Sequence, residues 1–178
     1  MPKPTSSSLQ QQTLHPTIGV KLIPKNILFP NFPGHMGITW KLGRSRSFRG
    51  FRFNPDELPL AYRSPLRWRD YLFDHQVRGY VVNDIILQDT LMKMPEKVLC
   101  KQWIVNSVEV SQIDANTPVG PYGWYSFEPD PATGRHNCVT WTIEVVNRVL
   151  NNVLQPVQKG RIRLATEMLS KIGAMPSA

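Results

Sequence analysis

The side chains best suited to covalent or proton-transfer chemistry in this sequence are two cysteines, Cys100 and Cys138, and four histidines. Cys138 stands in Asn137-Cys-Val-Thr-Trp-Thr-Ile-Glu-Val-Val-Asn-Arg-Val-Leu, where Val139, Ile143, Val146 and Leu150 recur at the period of a helix. Asn137 is a good N-cap, so the thiol falls on the first helical position. There it faces free backbone N–H groups and the positive end of the macrodipole, and both favour the thiolate. The same N–H groups suit an oxyanion formed when a thiolate attacks a carbonyl. The competing reading is a packing cysteine, since free Cys is among the most buried residue types. Cys100, behind Val98-Leu99, reads as packing.

A thiol nucleophile needs a base within hydrogen-bond reach. His35 is the candidate: it opens an alternating strand-like run, and Gly34 and Gly37 on either side leave room for another group to approach. Its competing reading is a half-exposed strand histidine. His136 lies two residues before Cys138, on the incoming loop, and is read as a contact to the surroundings of the thiol. His15 sits in a polar arm and His75 has no partner of obvious spacing. Four scattered histidines without a close His/Asp/Glu cluster give no expected metal site, and no cofactor is expected.

A chain of 178 residues suffices for one domain with a core. Residues 1–16 are polar and aperiodic and predict a flexible arm; residues 17–178 predict one α+β domain. Sixteen prolines argue against a helical bundle. Residues 34–42 and 48–54 predict two strands of a hairpin turning at Gly43-Arg-Ser-Arg-Ser. Residues 79–87 predict a strand, 89–102 a short helix, and 104–110 another strand. Residues 117–135 predict a long functional loop whose Tyr122, Trp124, Tyr125 and Phe127 line a cleft wall. Residues 161–172 predict a second amphipathic helix after the Cys138 helix. Strands first and helices last predict an antiparallel sheet with its helices on one face.

The net charge is +8, and its distribution says more than its sum. Lys41, Arg44, Arg46, Arg49 and Arg52 fall on the hairpin with no acid among them, and attract an anionic partner such as nucleic acid or an acidic lipid surface. The competing reading is a solvated basic loop. No run of apolar residues is long enough to span a membrane, and the first residues lack the apolar centre of a secretory signal. Two cysteines are too few for a disulfide framework and fit a reducing compartment.

Gly34-His35-Met36-Gly37-Ile38, then a hairpin, and much later Asn137-Cys138-Val139-Thr140-Trp141 opening a helix, resemble the circularly permuted papain-like thiol hydrolases. That clan includes the lecithin:retinol acyltransferase-like proteins and the permuted NlpC-type peptidases. The Asn-Cys pair is similar to that of the acyltransferase-like branch, and Gly50-Phe51-Arg52-Phe53-Asn54-Pro55 is similar to a segment following the histidine strand in some bacterial members. The resemblance covers about residues 31–150 and does not explain the insert at 55–135. It implies a permuted papain-like fold, with Cys138 as nucleophile and His35 as base. The third polar residue that orients the histidine in this clan is assigned to Asn54, with Asp56 and Glu57 as neighbouring candidates.

Two functions follow as expectations. The first is a cysteine peptidase, amidase or acyltransferase acting on a peptide, isopeptide or acyl substrate, with Cys138, His35 and Asn54 catalytic and with Asn137, His136, Trp124 and Tyr125 contacting substrate. The second is a binding module that uses the basic hairpin 41–53, interleaved with Phe48, Phe51 and Phe53, for nucleic acid or another anion. The expected location is the cytoplasm, or delivery by a signal-independent secretion system, as for a bacterial protein.

Overall fold

In the computed structural model, residues 15–24, 26–29, 32, 34–154 and 175–176 are described. The expected arm lies outside them as far as residue 14, and so does the helix expected at 161–172.

The chain begins with β1 (Thr17–Ile23), then β2 (His35–Leu42) and β3 (Ser45–Phe53). Three short 3-10 turns lead to α1 (Trp68–Leu72) and β4 (Val77–Asn83). There follow α2 (Ile85–Lys93), β5 (Leu99–Ile104), α3 (Ser107–Ala115), β6 (Gly120–Tyr125), β7 (Arg135–His136), α4 (Cys138–Leu150) and β8 (Met175–Pro176). The strands make one sheet in the order β7-β6-β4-β3-β2-β1-β5-β8. Every pairing is antiparallel except β6 with β7. The α+β class is as expected.

The β2–β3 hairpin forms where the sequence places it, with Leu42 opposite Ser45 and Gly37 opposite Gly50. Gly43 takes a positive φ of 59° at its turn, a conformation that costs glycine least. Side chains alternate along each strand, so Phe48 and Phe51 point to opposite faces of the sheet. Phe51 belongs to the larger core, with Ile18, Val20, Met36, Ile38, Val110, Ile113, Trp141 and Val146. Phe48 belongs to a smaller core with Ile23, Phe32, Leu87 and Val98. Helices α3 and α4 therefore cover one face and α2 the other, not a single face as expected. The α4 stripe is the deepest helical surface: Val139, Ile143, Val145 and Val146 are all buried, and each such side chain contributes roughly 1.5–3 kcal/mol relative to exposure.

Three segments differ from expectation. The strand expected at 79–87 ends at Asn83, where Asp84 caps α2 by accepting from the Leu87 N–H at 3.0 Å. The segment expected to be helical at 89–102 is the end of α2, a turn at Pro95–Lys97 and most of β5; Pro95 lacks the N–H that continuing α2 would need. The strand expected at 104–110 gives way to α3, because Asn106 and Glu109 close a capping box: each side chain accepts from the other's backbone N–H. The long loop expected at 117–135 also holds β6 and β7, and β7 leads straight into α4.

Candidate active site

Cys138 is the first residue of α4, and Asn137 is its N-cap. The Asn137 side chain accepts from the N–H groups of Val139 and Thr140, both at 2.9 Å, while the Thr140 hydroxyl accepts from the Asn137 N–H at 3.0 Å. Two of the first-turn N–H groups are thus used inside the cap, and the Trp141 N–H donates to the Asn137 carbonyl. The N–H of Cys138 itself is not used inside the cap, and it lies beside the Tyr125 phenol. Asn137 builds the helix end and has no spare acceptor role toward a substrate.

His35 opens β2 and is buried. Its Nε2 lies 2.5 Å from Asp84 Oδ2, and its ring is close enough to the Cys138 side chain for each to shift the other's ionisation. With Nε2 on the carboxylate, Nδ1 is the ring nitrogen that Asp84 leaves free. Asp84 is itself buried. It reaches the imidazole across the facing glycines of the hairpin: a Cβ on Gly37 would lie 2.7 Å from Asp84 Oδ2, and one on Gly50 would lie 2.2 Å from it. The space that Gly37 leaves beside His35 is filled by this carboxylate.

Asn54, expected to hold the imidazole, instead caps the 3-10 turn Pro55–Glu57, accepting from the Asp56 N–H at 3.0 Å. It is exposed, as is Asp56, and Glu57 accepts from the Tyr80 hydroxyl. The residue on the imidazole is Asp84. Its sequence signal was an aspartate just before Ile85-Ile-Leu, an N-cap pattern masked by the strand-like run leading to it.

Electrostatics follow from this placement. Burial pushes the His35 imidazole down, but the charge and hydrogen bond of Asp84, with a smaller contribution from Cys138, more than offset it and raise its pKa to about 10. Burial pushes the Cys138 thiol up, yet the His35 hydrogen bond and charge and the Met36 N–H bring it below its ordinary value. Burial likewise raises Asp84, and His35, the Leu87 N–H and Arg52 outweigh it, so its pKa is lowered. The arrangement favours a thiolate–imidazolium pair.

Tyr125 is buried at 6% exposure, with its phenol beside the Cys138 side chain. Burial, then the adjacent thiolate charge, push its phenol pKa well above the ordinary value, so it keeps its proton. Its ring stacks on Phe51, which in turn stacks on Trp141 of α4. Cys138 is 8% exposed, more enclosed than a nucleophile opening on a cleft would be. Beside the site an apolar cavity of about 110 Å3 is lined by His35, Tyr125, Phe29, Trp68 and Phe127 among others.

The remaining expected contacts divide. Trp124 is 44% exposed and neighbours Tyr125 on a strand, so the two side chains point to opposite faces. His136 is buried against α4, its Nδ1 hydrogen-bonded to Thr140 Oγ1 at 3.2 Å and its Nε2 3.3 Å from Glu144. Burial lowers its pKa despite Glu144, and Arg148 lowers it further. It braces the helix. Cys100 is half-buried, and both cysteines are free. Among the described residues no group of three or more His, Cys, Asp and Glu is placed to hold a metal ion, and no helix is long and apolar enough to cross a membrane.

The hairpin cations are not equivalent. Lys41, Arg44 and Arg46 are exposed. Arg49 is half-buried over the Trp40 ring, donating to Asn83 Oδ1 at 2.5 Å and to the Thr117 carbonyl at 3.3 Å. Arg52 lies near the end of β3 far from the tip and lines both the cavity beside His35 and a groove with Asn54 and Tyr80. Phe48 and Phe51 are buried and Phe53 packs against the core, so these rings offer no stacking platform to a nucleic acid.

No protein-family model, no curated protein and no solved structure matches this chain.

Proposed function

We propose that the chain is a cysteine hydrolase or acyltransferase with Cys138 as nucleophile, His35 as general acid and base, and Asp84 as the group that orients and charges the imidazole. The observation that carries the reading is the connected line of three buried side chains, Cys138 to His35 to Asp84, with the sulfur at a helix N-terminus. The resemblance to the permuted papain-like clan, with its histidine strand first and its cysteine helix last, agrees in element order.

The Cys138 thiolate attacks a carbonyl carbon. A C–S bond forms and the carbonyl π pair moves to oxygen. The oxyanion meets the Cys138 N–H and the Tyr125 hydroxyl, two donors that already converge beside the sulfur. The imidazolium then gives its proton to the leaving amine, alkoxide or thiolate as the C–X bond breaks, leaving a thioester on Cys138. Neutral His35 next takes a proton from water or from an acceptor nucleophile, which attacks the thioester. Collapse of that second adduct expels the thiolate and renews the ion pair.

The test is intact-mass analysis after exposure to a panel of p-nitrophenyl esters and acyl thioesters, with iodoacetamide labelling in parallel. An acyl adduct on Cys138 is expected, absent in Cys138→Ala and at least tenfold slower to form in His35→Ala. Cys100 serves as the internal reference: labelling of Cys138 no faster than that of Cys100, with no acyl adduct, would refute the assignment.

A further inference from the structure

The cavity beside His35 contains one feature that the chemistry above does not use. Its walls are aromatic and aliphatic, with Phe29, Phe53, Trp68 and Phe127 among them, and the one positive side chain in its lining besides His35 is Arg52. Gly50 and Gly37 face one another across the hairpin, and Arg52 and His35 each lie two residues further toward the same end, so their side chains share a face of the sheet. Arg52 is half-buried, and among the described residues its guanidinium makes no hydrogen bond or ion pair, although its charge is felt at Asp84 and Tyr125. Asp84 feels the charge of Arg52 but makes no hydrogen bond or ion pair with it, its oxygens facing His35 and the Leu87 N–H.

We infer that this cavity is the specificity pocket of the proposed enzyme, and that it takes an apolar group of phenyl or leucyl size attached close to a carboxylate, which Arg52 binds. A guanidinium has five N–H donors in a fixed fork that matches a carboxylate, and those of Arg52 have no partner among the described residues. The volume bounds the size of the group from above: an apolar cavity of ~150 Å3 accommodates benzene, and this one, at about 110 Å3, takes at most a phenyl or leucyl group. A neutral substrate would leave the cation half-desolvated and unpaired, so the pocket discriminates in favour of anions. Arg52 thus belongs to the catalytic cavity, not to the basic tip of the hairpin.

The inference rests on Cys138 being the nucleophile, and the experiment separates the two. Labelling of Cys138 by iodoacetamide is measured by peptide mapping, relative to Cys100 in the same sample, in the presence of hydrocinnamate, hydrocinnamamide or acetate. Hydrocinnamate is expected to protect Cys138 at concentrations at least tenfold lower than either the amide or acetate. In Arg52→Gln the advantage of acid over amide should shrink to less than about twofold, and Arg52→Lys should keep most of it. Equal protection by acid and amide in the wild-type protein, or an undiminished preference in Arg52→Gln, overturns the anion site; protection by acetate equal to that by hydrocinnamate overturns the apolar part. The wild-type comparison does not depend on any variant folding. A slow Cys138 thiol with acid-selective protection would overturn the nucleophile and support the pocket, whereas a fast thiol without selectivity would overturn the pocket alone.

Discussion

Replacing Asp84 by Asn tests the electrostatic argument while sparing the architecture. Asn is as good an N-cap as Asp, so the bond from the Leu87 N–H to the side-chain oxygen survives and α2 keeps its start. What is lost is the negative charge 2.5 Å from His35 Nε2. The rise of the imidazole from 6.5 to about 10 corresponds to roughly 5 kcal/mol in favour of the cation. Asp84 is the largest of the groups producing that rise, and Cys138 supplies the remainder. If Asp84 accounts for only half, its removal costs the imidazolium about 2–3 kcal/mol, and burial then drives the ring toward neutrality. The thiol loses the cation that lowers it in the same step. The assay is the rate of iodoacetamide labelling of Cys138 across pH 4 to 10. The wild-type profile should rise with an inflection well below the ordinary thiol value; in Asp84→Asn the inflection should move up, and labelling at pH 7 should fall at least tenfold and by as much as roughly 50-fold. Superimposable profiles with an unchanged melting temperature would refute the claim that Asp84 charges His35.

Stability should also follow the raised imidazole. Its folded-state pKa of about 10 exceeds the ordinary 6.5, so its contribution is fully present below pH 6.5 and declines as pH rises toward 10; denaturant melts of wild type and His35→Ala should converge across that window. Gly50→Ala places a methyl group 2.2 Å from Asp84 Oδ2, which should lower stability by about 1–3 kcal/mol in a denaturant melt and slow Cys138 labelling together. Replacing Arg44 and Arg46 by Ser should leave the melting temperature within about a degree, whereas Arg49→Ser should cost about 1 kcal/mol by leaving the part-buried Thr117 carbonyl without its donor and uncovering the Trp40 ring. Should the exposed tip bind a polyanion, the double variant should lose that binding and the wild-type affinity should fall steeply with salt.

The sequence makes some of these elements legible and hides others for identifiable reasons. The α4 helix announces itself because its apolar residues recur at one period behind a strong cap, and the hairpin because alternation flanks a Gly-centred turn. Helices α2 and α3 are short and bury few residues each, Leu87 and Thr90 in one, Val110 and Ile113 in the other. Their stripes are too thin to compete with the local alternation of Val, Ile and polar residues, so the start of each, 85–87 in α2 and 107–110 in α3, reads as strand, and only the end of α2 falls in the expected helix. Only their caps, Asp84 and Asn106 with Glu109, carry the signal. Missing the first cap hid the third member of the site, because a carboxylate assigned to a strand at 79–87 has no reason to lie over Gly37 and Gly50. Asn54 was favoured by proximity in sequence, whereas the partner of His35 comes from 49 residues away. Arg49 and Arg52 show the same limit. Net charge along a strand does not reveal which cation turns inward, and each of these found an interior role that the exposed Arg44 and Arg46 lack.

Asp84 divides its two oxygens between a helix start and the imidazole, so the docking of α2 and the charge state of the thiol are thermodynamically linked. Fraying of α2 releases the carboxylate from both duties, and the ion pair is lost with it; conversely, a ligand or a covalent adduct that demands the imidazolium holds the first turn of α2 in place. Amide hydrogen exchange across residues 85–93 therefore becomes a reporter of events at a sulfur on another element. By reciprocity, the opening of α2 and the ionisation of Cys138 shift one another's equilibria by the same free energy, so a helix-breaking glycine at exposed Gln88, which touches nothing in the candidate site, raises the pKa of the Cys138 thiol.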